Sequence, residues 1–126
     1  MLSVLRAATL GLAAMLAVSF AASAAPFDAK SFQEAQAAGK MILIDVYAPW
    51  CPVCRKQQPT LESLQKEMPN LIVYRVDYDS AKDVLSRFRV QKQGTLIMFK
   101  GATEVGRLIY DADPANIRAL VAKASR

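Results

Sequence analysis

The chain carries two cysteines, Cys51 and Cys54, and no histidine. The missing imidazole rules out a His general acid, a Cys–His nucleophile pair and a His metal ligand, and two thiolates alone do not complete a four-coordinate zinc site. In Cys51-Pro52-Val53-Cys54 the thiols stand three residues apart, which on a helix places them on one face within reach of a disulfide. Where such a pair opens a helix, the free amides and the dipole of the first turn favour a thiolate at Cys51. Cys51 can then attack a substrate disulfide, and Cys54 can resolve the mixed disulfide that forms. One competing reading is a structural staple, although closing so short a loop removes only on the order of 2 kcal/mol of unfolded-state entropy and ties no distant segments together. Half of a metal site is the other.

The flanking sequence supplies the elements that such a pair needs. Met41 to Tyr47 is almost continuously apolar with one carboxylate, Asp45, inside it, as befits a buried central strand. After it a helix is expected from the cysteine pair to about Met68, with Cys54, Leu61, Leu64 and Met68 on its apolar stripe and Pro59 kinking it. Upstream, Ser31-Phe32-Gln33-Glu34 reads as a capping box and Gly39 as a stop for a first helix, with Ala25 to Phe27 as a short lead-in. Downstream, a strand is expected at Leu71–Asp77, a short helix at about Ser80–Phe88, and a hairpin of Thr95–Lys100 and Glu104–Tyr110 turned at Gly101. A last helix starts at Asp113-Pro114 and carries Ile117, Leu120, Val121 and Ala124 as its apolar stripe. The order α-β-α-β-α-β-β-α implies an α/β fold, a central mixed sheet with helices on both faces.

Arg6 is the first charge of the chain, followed by an apolar run from Ala7 to Phe20 and by Ala22-Ser23-Ala24. A basic start, a short apolar middle and small residues at the end make a secretory signal peptide over 1–24, cut after Ala24, with a single domain over 25–126. A retained anchor would need roughly 20 predominantly apolar residues. An exported chain meets an oxidising compartment in which disulfides persist, so the expected location is the periplasm. The net charge of +5 is read as a solubility feature. No basic run interleaved with aromatics appears, so nucleic acid is not expected as a partner.

Ile44-Asp45-Val46-Tyr47-Ala48-Pro49-Trp50-Cys51, Pro59 and Thr95-Leu96-Ile97-Met98-Phe99-Lys100-Gly101 followed by Glu104-Val105 resemble the thioredoxin family across nearly all of 25–126. The resemblance implies a thioredoxin-like fold, with Cys51 as nucleophile and Cys54 as resolving thiol. Asp45 would be the buried carboxylate that takes the proton from Cys54 through water. Burial of a carboxylate in an apolar strand raises its pKa, which agrees with that role. Trp50 would shield the thiolate and shape the contact surface, together with Pro52, Val53, Gly94 and Thr95. Arg75 lies where the family often carries a Lys close to the buried acid. No cofactor or metal is implied.

The chain also departs from the family. Between the cysteines it has Pro52 then Val53 where thioredoxins have Gly then Pro. Val53 adds neither charge nor a hydrogen bond to a thiolate, which favours a reductase over an oxidant. Gly94 stands where the family has a cis-proline before the residue matched by Thr95. A trans bond is expected there, since a non-proline cis bond costs roughly 2.5–4 kcal/mol. Gly94 is expected to open space beside the thiols, and a proline restored there to bring back substrate pairing if the loop accepts it. A glycine customary near the end of the hairpin is replaced by Asp111. These readings imply a monomeric periplasmic disulfide reductase or interchange protein that acts on disulfide-containing proteins and is re-reduced by a membrane thiol donor. The alternative is a metal-handling module that holds Cu(I) or shares an iron–sulfur cluster through both cysteines.

Overall fold

A computed structural model describes residues 23–126; the expected signal peptide, apart from Ser23 and Ala24, lies outside the described residues. Its elements are β1 (Ala25–Pro26), α1 (Ala29–Ala37), β2 (Met41–Tyr47), α2 (Pro52–Glu67), β3 (Leu71–Asp77), α3 (Lys82–Arg87), β4 (Thr95–Lys100), β5 (Thr103–Ile109) and α4 (Pro114–Ala122), closed by a 3-10 turn at Lys123–Ser125. The strands form one mixed sheet in the order β1-β3-β2-β4-β5. β2 runs parallel to β3 and antiparallel to β4, so its groups are paired on both sides.

That central place is what the apolar run of β2 requires. Ile42, Ile44 and Val46 face one way into a core with Phe32 of α1 and Leu85 of α3. Leu43 faces the other way, with Leu61 and Leu64 of α2 and Ile117 and Leu120 of α4. Asp45 shares the face of Leu43 by the period of two along a strand, which turns it towards α2. Helices thus cover both faces of the sheet.

Several boundaries move from the sequence expectation for local reasons. α1 starts before Ser31, because Asp28 is the cap: its carboxylate accepts from the Ser31 amide at 2.8 Å and from the Ser31 hydroxyl at 2.7 Å. The lead-in contains β1, which pairs Ala25 with Tyr74 and Pro26 with Arg75 and is too short to show a pattern. α2 continues through Pro59 to Glu67. β5 starts at Thr103 and stops at Ile109, since Tyr110 turns left-handed with φ 56° and donates its amide to the Gly94 carbonyl at 3.1 Å. Asp113 caps α4 by accepting from the Ala115 amide, as its sequence position suggests.

Candidate functional site

Cys51 ends the segment after β2 and caps α2, with Pro52 in the first helical turn. Its Sγ accepts the Cys54 amide at 3.1 Å. That amide is one of the donors a helix start leaves free, so the helix directs partial positive charge at this sulfur. Cys51 and Cys54 are joined as a disulfide with their Cα atoms 5.3 Å apart. Cys54 Sγ lies 3.8 Å from the Val46 carbonyl oxygen. Both cysteines are fully buried, so exposure does not distinguish them. What does is the amide aimed at Cys51.

Behind Cys54 lies Asp45, completely buried. Its two oxygens differ. Oδ2 accepts from Gln58 Nε2 at 3.3 Å and stands 3.4 Å from Arg75 Nε, while Oδ1 has no hydrogen-bond partner. Burial raises the Asp45 pKa above its ordinary value, and the Gln58 hydrogen bond and the Arg75 charge work against that rise. Gln58 Nε2 also donates to the Cys54 carbonyl at 3.1 Å, and its Oε1 accepts from Arg75 Nη2. Arg75 itself lies over the Tyr47 ring, 4.0 Å from its centre. Gln58 therefore links the acid, the cysteine-bearing helix and the cation. Gln58 and Arg75 also line a 370 Å³ surface cavity with Glu62, Lys66 and Ser23–Ala24, the solvent side of the acid.

In front of the disulfide the arrangement is one of backbone. The described peptide bonds are all trans, the one before Gly94 included, and Gly94 has φ 75°. Its amide donates to the Val46 carbonyl at 2.9 Å, and its carbonyl accepts from the Tyr110 amide at 3.1 Å and from Gln57 Nε2 at 3.0 Å. A Cβ at Gly94 would stand 3.4 Å from both Val53 Cγ1 and Tyr110 Cδ2, an ordinary contact distance, so the glycine leaves room for one methyl group between these side chains. A proline here would need the loop to change, because proline holds φ near −65° and has no amide for Val46. Asp111 keeps an ordinary backbone; the left-handed residue is Tyr110, one position earlier. Thr95 is buried and its hydroxyl donates to the Lys92 carbonyl at 2.7 Å, so it reaches the site only through the shape of this loop.

The rim is apolar and exposed. Trp50 is 52% exposed, and its indole donates to the Asp79 carboxylate at 2.9 and 3.2 Å while its ring meets Tyr78 edge-on. Tyr110, with Lys92 Nζ 4.0 Å from its ring centre, and Ile109 are exposed as well. A 630 Å³ cavity lined by Phe32, Arg87, Arg89 and Arg107 among others includes neither cysteine nor Asp45. The cysteine pair thus sits beside exposed apolar side chains and outside that cavity.

The structure brings Cys51, Cys54, Val53 and Gly94 together, sets Trp50 on the rim and Pro52 in the first turn of the helix, and keeps Asp45 behind Cys54. Sequence reasoning missed Gln57, Gln58, Tyr110, Lys92 and Asp79. A signal existed for the glutamines, since polar residues one turn after Cys54 interrupt an otherwise apolar stripe. None existed for Tyr110, whose backbone angle depends on a distant carbonyl.

The thioredoxin family model matches residues 23–123. Thioredoxin of Echinococcus granulosus is 33% identical over 94 residues, covering 75% of this chain and 87% of that one. Thioredoxin-1 of Saccharomyces cerevisiae is 33% identical over 94 residues, covering 75% and 90%. Among solved structures, Trxlp from Edwardsiella tarda superposes with a TM-score of 0.75 at 38% identity, covering 79% of this chain and 98% of that one.

Proposed function

The chain belongs to the thioredoxin family and is a thiol–disulfide oxidoreductase, and from that premise we propose that it works in the periplasm as a disulfide reductase or interchange protein. The observation that carries the reading is the helix start that presents the Cys54 amide to Cys51 Sγ. In the reduced protein the Cys51 thiolate attacks one sulfur of a substrate disulfide. A Cys51–substrate disulfide forms, and the other substrate sulfur leaves as a thiolate that takes up a proton. Cys54 then gives its proton to Asp45, through water, and attacks Cys51 Sγ. The second substrate thiolate departs, the Cys51–Cys54 disulfide closes, and two electrons have passed to the substrate. The bare Oδ1 of Asp45 is the oxygen free to take that proton.

Val53 supports the reducing direction, since it gives a Cys51 thiolate neither a charge nor a donor. Turnover then needs a thiol donor, and for an exported chain that donor is a membrane protein. The leader pattern over 1–24 supports export, and β1 begins at Ala25, directly after the proposed cut. The metal-handling alternative drew on open space beside Gly94, and between Val53 and Tyr110 that space takes a single methyl group.

The test is trapping. Cys54→Ser accumulates mixed disulfides with periplasmic proteins, and Cys51→Ser accumulates almost none. Equal trapping by the two variants defeats the assignment. Mass spectrometry of the mature chain, with Ala25 as its first residue, checks the export half of the reading.

A further inference from the structure

We propose that Gln57 is a positioning residue for polypeptide substrates: its amide clamps the two loops in front of the cysteine pair into the surface that a substrate chain meets. The inference rests on the reductase reading and names what fixes its docking face.

Gln57 lies on α2, one turn after Cys54, and is completely buried. An apolar side chain would occupy the stripe at less desolvation cost, so the amide must be compensated by what it bonds. Nε2 donates to the carbonyls of Gly94 at 3.0 Å and Asp111 at 2.9 Å. Two carbonyls can be satisfied together only by an NH2 group, which sets the orientation of the amide. Oε1 is buried and has no donor among the described residues. The clamp is thus retained even though half of the amide goes unsatisfied.

The clamped segments carry exposed apolar surface. Among the described residues the exposed large hydrophobic side chains are Trp50, Ile109 and Tyr110. Trp50 adjoins Cys51, and Tyr110 lies against Gly94 beside Val53. Tyr110 holds a left-handed backbone that bulky residues avoid. It is bracketed there: its own amide binds the Gly94 carbonyl, and the next carbonyl, that of Asp111, binds Gln57. Releasing the clamp frees Tyr110 and the Gly94 loop together, which is one half of the rim. The Cys51 sulfur and the amide aimed at it stay as they are.

A substrate that needs the rim will register the loss, and one that needs only the sulfur will not. The pre-reduced full-length mature protein and its Gln57→Met variant are compared in single-turnover reduction of insulin and of 5,5′-dithiobis(2-nitrobenzoate). Expected is about a tenfold slower reaction with insulin, the equivalent of one lost buried hydrogen bond, with the small disulfide within about twofold of wild type. Thermal unfolding followed by circular dichroism reports whether the variant is folded. If Gln57→Met does not fold, Gln57→Asn, which keeps the amide on a stem too short to span both carbonyls, takes its place with the same expectation. Parallel changes in both reactions, a rise in both, or an unchanged insulin rate overturn the inference. Wild type inert to both disulfides would instead remove the reductase reading on which it rests.

Discussion

On one side of the disulfide Gln58 reaches Asp45 and Arg75; on the other its neighbour Gln57 reaches the carbonyls of Gly94 and Asp111. The rear side is an arrangement of side chains, with an acid, an amide and a cation arrayed around a buried oxygen. The front side is one of main chain, with two left-handed residues and four backbone groups joined in two hydrogen bonds. On the proposed reading the rear controls a proton and the front controls a shape. A substitution behind the disulfide should therefore change how the reaction depends on pH, and one in front should change what fits.

The largest break is expected from Gly94→Pro. It removes the donor to Val46 and demands a φ that the loop does not have, a loss of about 3 kcal/mol or more in urea unfolding. An unchanged midpoint would mean that the front loop can be rebuilt around a proline and is held less firmly than its hydrogen bonds indicate.

Asp45→Asn probes the rear. Loss of the proton acceptor should slow resolution of the mixed disulfide by roughly 10²-fold near neutral pH, measured by quenched-flow with a trapped substrate. Stability should move the other way. The folded pKa of Asp45 is raised, so the folded state holds this proton more tightly than the unfolded chain does, and stability falls as pH rises from the unfolded value of 3.8 through the folded one. The asparagine variant escapes that loss. It should match wild type in acid and exceed it by about 1 kcal/mol or more at neutral pH.

Gln58→Leu is the milder rear change. It removes the Oδ2 hydrogen bond that opposes the rise in the Asp45 pKa, so the resolution rate should climb at a higher pH than in wild type, with the insulin-to-small-disulfide ratio unaltered. A changed ratio with an unmoved pH profile would erase the division between the two sides. Trp50→Phe should have the smallest effect on stability, within about 1 kcal/mol by thermal unfolding, because the indole–Asp79 bond is exposed.

The rear side was largely legible in the sequence, and the reason is chemical. A carboxylate inside an apolar strand and a cysteine pair after it are unusual residue types in telling places, and each can be read where it stands. β2, β3 and β4 were legible for the same reason, since a strand pattern is local. The front side was less legible, because Tyr110, which borders Gly94, is distant in sequence, and the stiffness of the loop comes from a glutamine on the active-site helix. α1 was mis-started at Ser31 because two good caps, Asp28 and Ser31, stand within one turn of each other, and the structure uses one to hold the other.

The two edges of the sheet bear on how the chain behaves in company. β1 spans just Ala25–Pro26, and Pro26 has no amide to offer, yet it breaks the outer side of β3 into stretches too short to seed a new strand. At the far edge β5 carries the Arg107–Glu104 ion pair, and its register against β4 shifts between Met98 and Phe99. An extended chain approaching either edge meets a missing donor or a charged, offset ladder. A second, unfolded copy finds along these two edges no continuous template on which fibrillar growth could begin.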